Sequence, residues 1–335
     1  MPMYDPSLLY TDPILTEFSV GYQPQDLVAL RLLPEVPVDT PSGRYRVWDR
    51  SSRVYFLSRR EPGTVANEVR GGKWAEDTFK TVQHALQGAV ADEETRELTS
   101  QGGYADATFG GVFGLDPHEK AAALVFDSLA LEHELASSVL LRNTASYPAG
   151  HSITLVTADQ WDNYAGATSN PIDVIRAAMI KINSKIGTPP NRIAMGRLGQ
   201  TWLENHPDVV ARFTNFTLAD PGAFRTLTGF EGEFILIGDD NYNTNDILEA
   251  TETLVSVWGK DVILAYVKED LTTDDLSFGK TFAQLYPDGS TRPTDRWRED
   301  GRMSDMVRTH WKWDIKLTSS IAGYLIKDAF SATAW

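Results

Sequence analysis

The sequence predicts an α+β fold with an extended N-terminal segment, and three observations predict it. Residues 1–41 hold seven of the 17 prolines yet are rich in apolar side chains. One long helical pattern covers 117–142, and a run of strict apolar/polar alternation covers 307–317. No repeat of 20–50 residues is visible, so a solenoid or propeller is excluded.

In this segment, Pro2, Pro6, Pro13, Pro24, Pro34, Pro37 and Pro41 deny any long helix and favour an extended path. Leu8, Leu9, Ile14, Leu15, Phe18 and Tyr22 are scattered through it and must be buried against something, either this chain's own globule or a neighbour. Residues 44–90 read as β-structure. Arg44-Tyr45-Arg46-Val47-Trp48 alternates, Val54-Tyr55-Phe56-Leu57 follows, and Pro62-Gly63 and Gly71-Gly72 punctuate. Nine basic residues lie between 44 and 80 (Arg44, Arg46, Arg50, Arg53, Arg59, Arg60, Arg70, Lys73 and Lys80) against five acids. The segment is therefore net +4 on a chain of −15, leaving −19 elsewhere. Opposite signs on one polypeptide suit packing of like subunits, segment against body.

The helix over 117–142 has Asp116 as N-cap, Pro117 at N1 and Glu119 at N3. Leu124, Val125, Ser128, Leu129, Glu132, Leu135, Ala136, Val139 and Leu140 are expected on one dominant face. A second helix spans 171–186, with Pro171 at N1 and Gly187 then Pro189 ending it. Strands are expected at Arg192–Met195, Phe234–Gly238, Thr253–Trp258, Val262–Val267 and Thr281–Tyr286, with a helix near 197–205. At the C-terminus, Val307, Thr309, Trp311, Trp313, Ile315 and Leu317 face one way. Arg308, His310, Lys312, Asp314 and Lys316 face the other, and Gly323–Ile326 is expected to close an antiparallel hairpin with this strand.

Composition narrows function. The net charge of −15 disfavours nonspecific binding to nucleic acid or anionic lipid, since phosphate contacts need Lys and Arg. With no cysteine, disulfides, zinc-thiolate sites and Cys nucleophiles are excluded. No apolar run approaches the ~20 residues of a membrane span, and Met1 to Asp5 lacks a signal-peptide pattern. Folding in a cytoplasm, with no membrane partner, is the expectation.

Catalytic and ligand motifs fail their own context tests. Phe278-Gly279-Lys280-Thr281 resembles the end of a P-loop, but position 274 is Asp and a strand follows instead of a helix. Asp239 to Asn243 evokes a calcium loop, yet Thr244 and Ala250 occupy its glycine and final-carboxylate positions. The six histidines form no HExxH, and His310 is expected to be solvated on the polar face of its strand. The Asp92-Glu93-Glu94 and Glu97 carboxylates are explained by a short helix start, and no G-x-S-x-G elbow is present. No enzyme activity, cofactor or metal is expected.

The order of these pieces resembles the major capsid proteins of tailed bacteriophages, with the Hong Kong 97-like fold. The likeness runs over essentially the whole chain. It is carried by Asp12-Pro13-Ile14-Leu15-Thr16 with Gly21-Tyr22, by Leu33-Pro34-Glu35-Val36-Pro37-Val38, by the β-excursion returning at Ala91-Asp92-Glu93, by the long helix and by the β-rich C-terminus. The resemblance implies an N-terminal arm (1–43), an extended β loop (44–90), a peripheral domain with a spine helix (91–154), an axial domain (155–255) and a peripheral C-terminal sheet (256–335). It implies a non-enzymatic shell protein whose copies form pentamers and hexamers around double-stranded DNA without reading its sequence. Its partners would be copies of itself, a portal, and scaffolding or decoration proteins. It would be assembled in the host cytoplasm and reside in the virion.

Inter-subunit contacts are then expected at Arg44, Arg46, Trp48, Arg53, Tyr55, Phe56, Arg59, Arg60, Arg70, Lys73 and Trp74, and from the arm at Leu8, Leu9, Ile14, Leu15, Phe18 and Tyr22. Some relatives lock the shell by an isopeptide bond between a loop Lys and a C-terminal Asn. The last asparagine here is Asn245, so non-covalent reinforcement is the expectation. Two other readings are an encapsulin-like compartment and, given nine Trp, a β-rich carbohydrate-binding virion or secreted protein.

Overall fold

The computed structural model describes residues 10–11, 15, 27–48, 59, 65, 74–93, 117–164, 168–212, 233–238, 241–243, 254–270 and 276–331. Its strands, in chain order, are β1 (Tyr10–Thr11), β2 (Glu35–Val38), β3 (Ser42–Trp48), β4 (Trp74–Lys80), β5 (Val82–Ala91), β6 (Ser152–Thr154), β7 (Arg192–Gly196), β8 (Glu233–Gly238), β9 (Asn241–Asn243), β10 (Leu254–Ser256), β11 (Val262–Ala265), β12 (Lys280–Gln284), β13 (Thr294–Glu299), β14 (Ser304–Lys316) and β15 (Gly323–Lys327). The helices are α1 (Ala29–Leu32), α2 (Pro117–Leu141), α3 (Pro171–Ile186), α4 (Arg197–Glu204) and α5 (Pro207–Arg212).

β14, 13 residues long, organises a six-stranded sheet. Along one edge it pairs antiparallel with β13 and then β12, and along the other with β5 from Ser304↔Ala91 to Trp313↔Val82. β1 adds to β13, and β2 adds in parallel to β12. The alternation expected at 307–317 is obeyed over 307–313, where Val307, Thr309, Trp311 and Trp313 are buried and Arg308, His310 and Lys312 are less so, while 314–317 are all half-buried.

The expected hairpin with 323–326 does not form. A 3-10 turn at Ser320–Ala322 follows β14, and Thr318 and Ser319 bond to Ser277 and Phe278. The chain thereby crosses to a second sheet of order β6-β15-β11-β7-β8, where β15 pairs antiparallel with β11 and parallel with β6. A Cβ at Gly323 would collide with the Phe278 ring, so glycine is needed at this crossing. The true hairpin partner of β14 is β13 (TDRWRE), whose charged sequence hides its strand character.

α3 matches its sequence signals. The Asn170 side chain accepts from Asp173 N at 3.2 Å, Pro171 starts the helix, and Gly187 ends it at φ 74°. Ile172, Ile175, Ile182 and Ile186 pack into the main core with Ile193, Ile263, Leu325 and Phe330.

α2 keeps the expected length but not the expected face. Ala122, Val125, Phe126, Leu129, Ala130, His133, Glu134, Ser137 and Leu141 are buried, whereas Leu124 and Val139 are 67% and 72% exposed. Apolar content is spread round the helix, so hydrophobicity alone did not identify the inner side. Val125 and Leu129 meet Trp311 and Trp313, while Ala122 meets Val307.

Two inward polar residues of α2 hold its neighbours. The Glu134 carboxylate accepts from Val28 N (3.0 Å), Ala29 N (2.8 Å) and Trp258 Nε1 (2.6 Å). It thus satisfies the start of α1 and an indole that no water reaches. His133 lies beside Trp311 and Trp313 and bonds through Nε2 to Thr281 Oγ1 at 3.2 Å. Since Thr281 Oγ1 donates to Leu33 O, the imidazole is the donor in that contact. Burial, with Arg292 and His84 nearby, pulls the His133 pKa down to about 3, so the ring is neutral in the folded chain.

Glu134→Gln turns an amide N–H toward a backbone donor. It should lower the unfolding free energy by about 3 kcal/mol, read by chemical denaturation of the monomer. For His133 the unfolded ring binds protons that the folded ring refuses. Its contribution is complete above about pH 6.5 and is lost as pH falls toward about 3. The difference in stability between wild type and His133→Phe should therefore shrink by roughly 1.4 kcal/mol per pH unit below pH 6. Parallel pH-stability curves would refute this assignment.

Candidate inter-subunit surface

The expected contact segment is built on the β3–β4 hairpin, which pairs in register from Ser42↔Lys80 to Trp48↔Trp74. Its base is seated on the central sheet. Phe79 stacks on Phe282 with ring centroids 4.4 Å apart, and Tyr45 lies 5.3 Å from the same ring. Val36 joins this small cluster. Tyr45 Oη donates to Asp77 Oδ2 at 2.9 Å, Lys80 N to Asp314 Oδ2 at 2.8 Å, and Thr81 N to Pro41 O at 2.9 Å. Bonds from Thr78 N and the Tyr45 hydroxyl hold the Asp77 carboxyl below its usual range, while burial pushes the Tyr45 phenol up.

Alternation divides the hairpin into two faces. Tyr45 and Phe79 turn toward Phe282, and Arg44, Arg46, Glu76, Thr78 and Lys80 are exposed. Arg44 pairs with Glu76 across the strands at 3.1 Å. That surface bond contributes little to stability and leaves the guanidinium largely open to solvent. Arg59 is exposed, and Val65 is 92% exposed. The backbones of Trp48 and Trp74 face each other in the ladder. Their side chains, and Arg53, Tyr55, Phe56, Arg60, Arg70 and Lys73, lie outside the described residues.

The segment from 82 onward is not part of the projection. β5 is a full strand of the central sheet, laid against β14 and under α2. Gly88 permits that approach, since a Cβ there would lie 3.3 Å from Val125 and 3.5 Å from Ala121. At its far end Arg298 holds Asp92 through two guanidinium nitrogens, fixing where the chain returns from the excursion.

Of the arm residues, Leu15 is buried within its own chain against Ala122 and Val307. Leu8, Leu9, Ile14, Phe18 and Tyr22 lie outside the described residues. β1 pairs with Arg296 and Asp295 of β13, so part of the arm is an integral strand.

His310 is not solvated as expected. Its Nε2 bonds Asp295 Oδ2 at 2.8 Å and its Nδ1 meets Gln83 Nε2 at 3.0 Å, linking β13, β14 and β5. Burial pushes the Asp295 carboxyl up, but the His310 and Arg308 bonds outweigh it and hold the group below its ordinary value. Among the described residues no cluster of three or more His, Asp or Glu is arranged to hold a metal ion, and no helix is long and apolar enough to cross a membrane.

No family model matches the chain. It is 23% identical over 325 residues to the major capsid protein of Burkholderia phage BcepMu, covering 95% of this chain and 96% of that protein. It is 27% identical over 213 residues to the major capsid protein of Pseudomonas phage JBD67, covering 63% and 62%. Among solved structures, a phage-related protein of Bordetella bronchiseptica RB50 matches at a TM-score of 0.74 with 25% identity, over 96% of this chain and 98% of that one. The capsid protein of cyanophage P-SCSP1u matches at 0.53 with 11% identity, over 90% and 87%, a likeness of fold alone.

Phe79→Ala should unseat the hairpin without unfolding the body. Hydrogen exchange should speed up in 42–48 and 74–80 by at least about tenfold, with β14 unchanged.

Proposed function

We propose that this chain, which resembles tailed-phage major capsid proteins, is the subunit of a closed shell assembled from many copies of itself. The observation that carries the reading is the end-to-end match to the BcepMu major capsid protein, covering 95% of one chain and 96% of the other. A match of that span favours a shell subunit over a glycan-binding module. Its relatives are named as major capsid proteins, in keeping with a non-enzymatic role.

In the finer reading, copies form the pentamers and hexamers of an icosahedral virion shell around double-stranded DNA, with a portal and scaffolding or decoration proteins as further partners. The hairpin supports the inter-subunit part of this reading. Its base is held by Tyr45, Phe79 and Phe282, so a rigid stalk carries Arg44 and Arg46 outward. The segment it opens is net +4 and the rest of the chain −19, so a neighbour's body attracts it. Aromatic burial adds to this. Each large ring covering ~200 Å² contributes several kcal/mol before ordering costs. Trp48, Tyr55, Phe56 and Trp74 are the rings assigned to that contact, with Arg53, Arg59, Arg60, Arg70 and Lys73 beside them. The acidic remainder suits a wall that does not bind its DNA cargo.

Expression followed by negative-stain microscopy should show closed particles of uniform size. Arg59→Glu with Arg60→Glu should abolish them while leaving the monomer's circular dichroism and melting temperature unchanged. A purified chain that stays monomeric under all assembly conditions would overturn the shell reading.

A further inference from the structure

An open sheet presents unpaired N–H and C=O groups at its edges, a template for another strand. Three strands stand at edges of the six-stranded sheet: β1, β2 and β5. β1 has two residues, and β2 has four with Pro37 among them, so neither offers much backbone. β5 has no such protection. It runs ten residues, Val82–Ala91, without a proline, lysine, arginine or carboxylate.

Among the described residues its ladder is with β14 alone, so along 82–90 every second residue turns its backbone groups away from the sheet. The outer edge of β4 is treated differently. There Thr78 N is satisfied by Asp77 Oδ1 at 2.7 Å and Lys80 N by Asp314 Oδ2 at 2.8 Å. Among the described residues no side chain does the same for 82–90. β5 is also open on both faces, with Val82 56% and Leu86 40% exposed on the α2 side and Gln83, Ala85, Gln87 and Ala89 exposed on the other. α2 runs over the strand, with Ala121 and Val125 above Gly88 and Glu132 bonded to His84. Helical spacing then puts Leu124, 67% exposed, on the flank beyond the strand, away from β14.

The geometry points to strand addition: the outer edge of β5 takes an extended segment from a second copy of this chain, with one row of its side chains under Leu124. This rests on the shell reading, in which the molecules pressed against each subunit are copies of it. Charge selects the same occupant. Nucleic acid or lipid headgroups require cations, and β5 has no lysine or arginine. Across the ladder, Arg308 is engaged by Asp295 and Lys312 by the Tyr286 ring, while Glu132, 49% exposed over the strand, suits the net-positive 44–80 segment of another copy. Backbone pairing supplies affinity that does not depend on side-chain identity.

Hydrogen exchange of the purified chain, as monomer and as particles assembled from it alone, tests this. The outward amides of 82–90 should exchange freely in the monomer and at least about a hundredfold more slowly in particles, while those facing β14 are slow in both. Intact particles whose outward amides exchange at the monomer rate would overturn the inference and leave the shell reading standing. Protection that appears only after another protein is added would also overturn it. A chain that never assembles overturns the shell reading and this inference with it. Leu86→Asp should preserve the monomer's melting temperature and cut particle yield about tenfold or more; normal yield counts against strand addition.

Discussion

The carboxylate of Glu134 is the constraint on which much else depends. It is 1% exposed and reaches three parts of the chain at once: the end of the arm, through Val28 and Ala29, the indole of Trp258, and its own helix α2. A buried carboxylate is tolerated only where its oxygens are well supplied with donors. That demand fixes α1 against α2 and the turn before β11 against both. β2 follows directly from α1, and its parallel pairing with β12 inherits that position. A second pair, Arg142 with Asp261 at 2.6 Å, repeats the device just past the C-terminal end of the same helix.

Around this frame the sheet has two kinds of margin. On one side the chain closes itself with short or proline-bearing strands, β1 and β2. On the other it leaves β5 long, uncharged and open, with the β3–β4 hairpin rising beside it. In an isolated soluble protein such an edge invites aggregation. Under the shell reading proposed above, the same edge and the cationic hairpin are complementary features, and this margin is where neighbouring copies would meet the body.

Helix α2 shows how far pattern reading carries. Its bounds follow from Pro117 and the polar stretch after Leu141, both local signals. Its inner face does not, because alanines, serines, His133 and Glu134 point inward while Leu124 and Val139 point out. The buried polar groups are satisfied by residues more than 100 positions away, such as Val28 and Trp258. No window along the sequence contains that information. The β3–β4 hairpin was legible in part: the alternation of 44–48 marked its first strand. The seat on Phe282 was not, since it joins residues about 200 apart.

By itself the sequence determined what depends on near neighbours and on composition. It set α2, α3 and α4, the caps of α3, the strand alternation in β14, the absence of thiol chemistry, and the opposition of a basic excursion to an acidic body. Tertiary structure alone decided which strands pair. β14 takes β13, β12 and β5 as partners, and β15 goes to the other sheet. Strand pairing is settled by backbone groups that every residue carries, so the side-chain pattern names a strand without naming its partner.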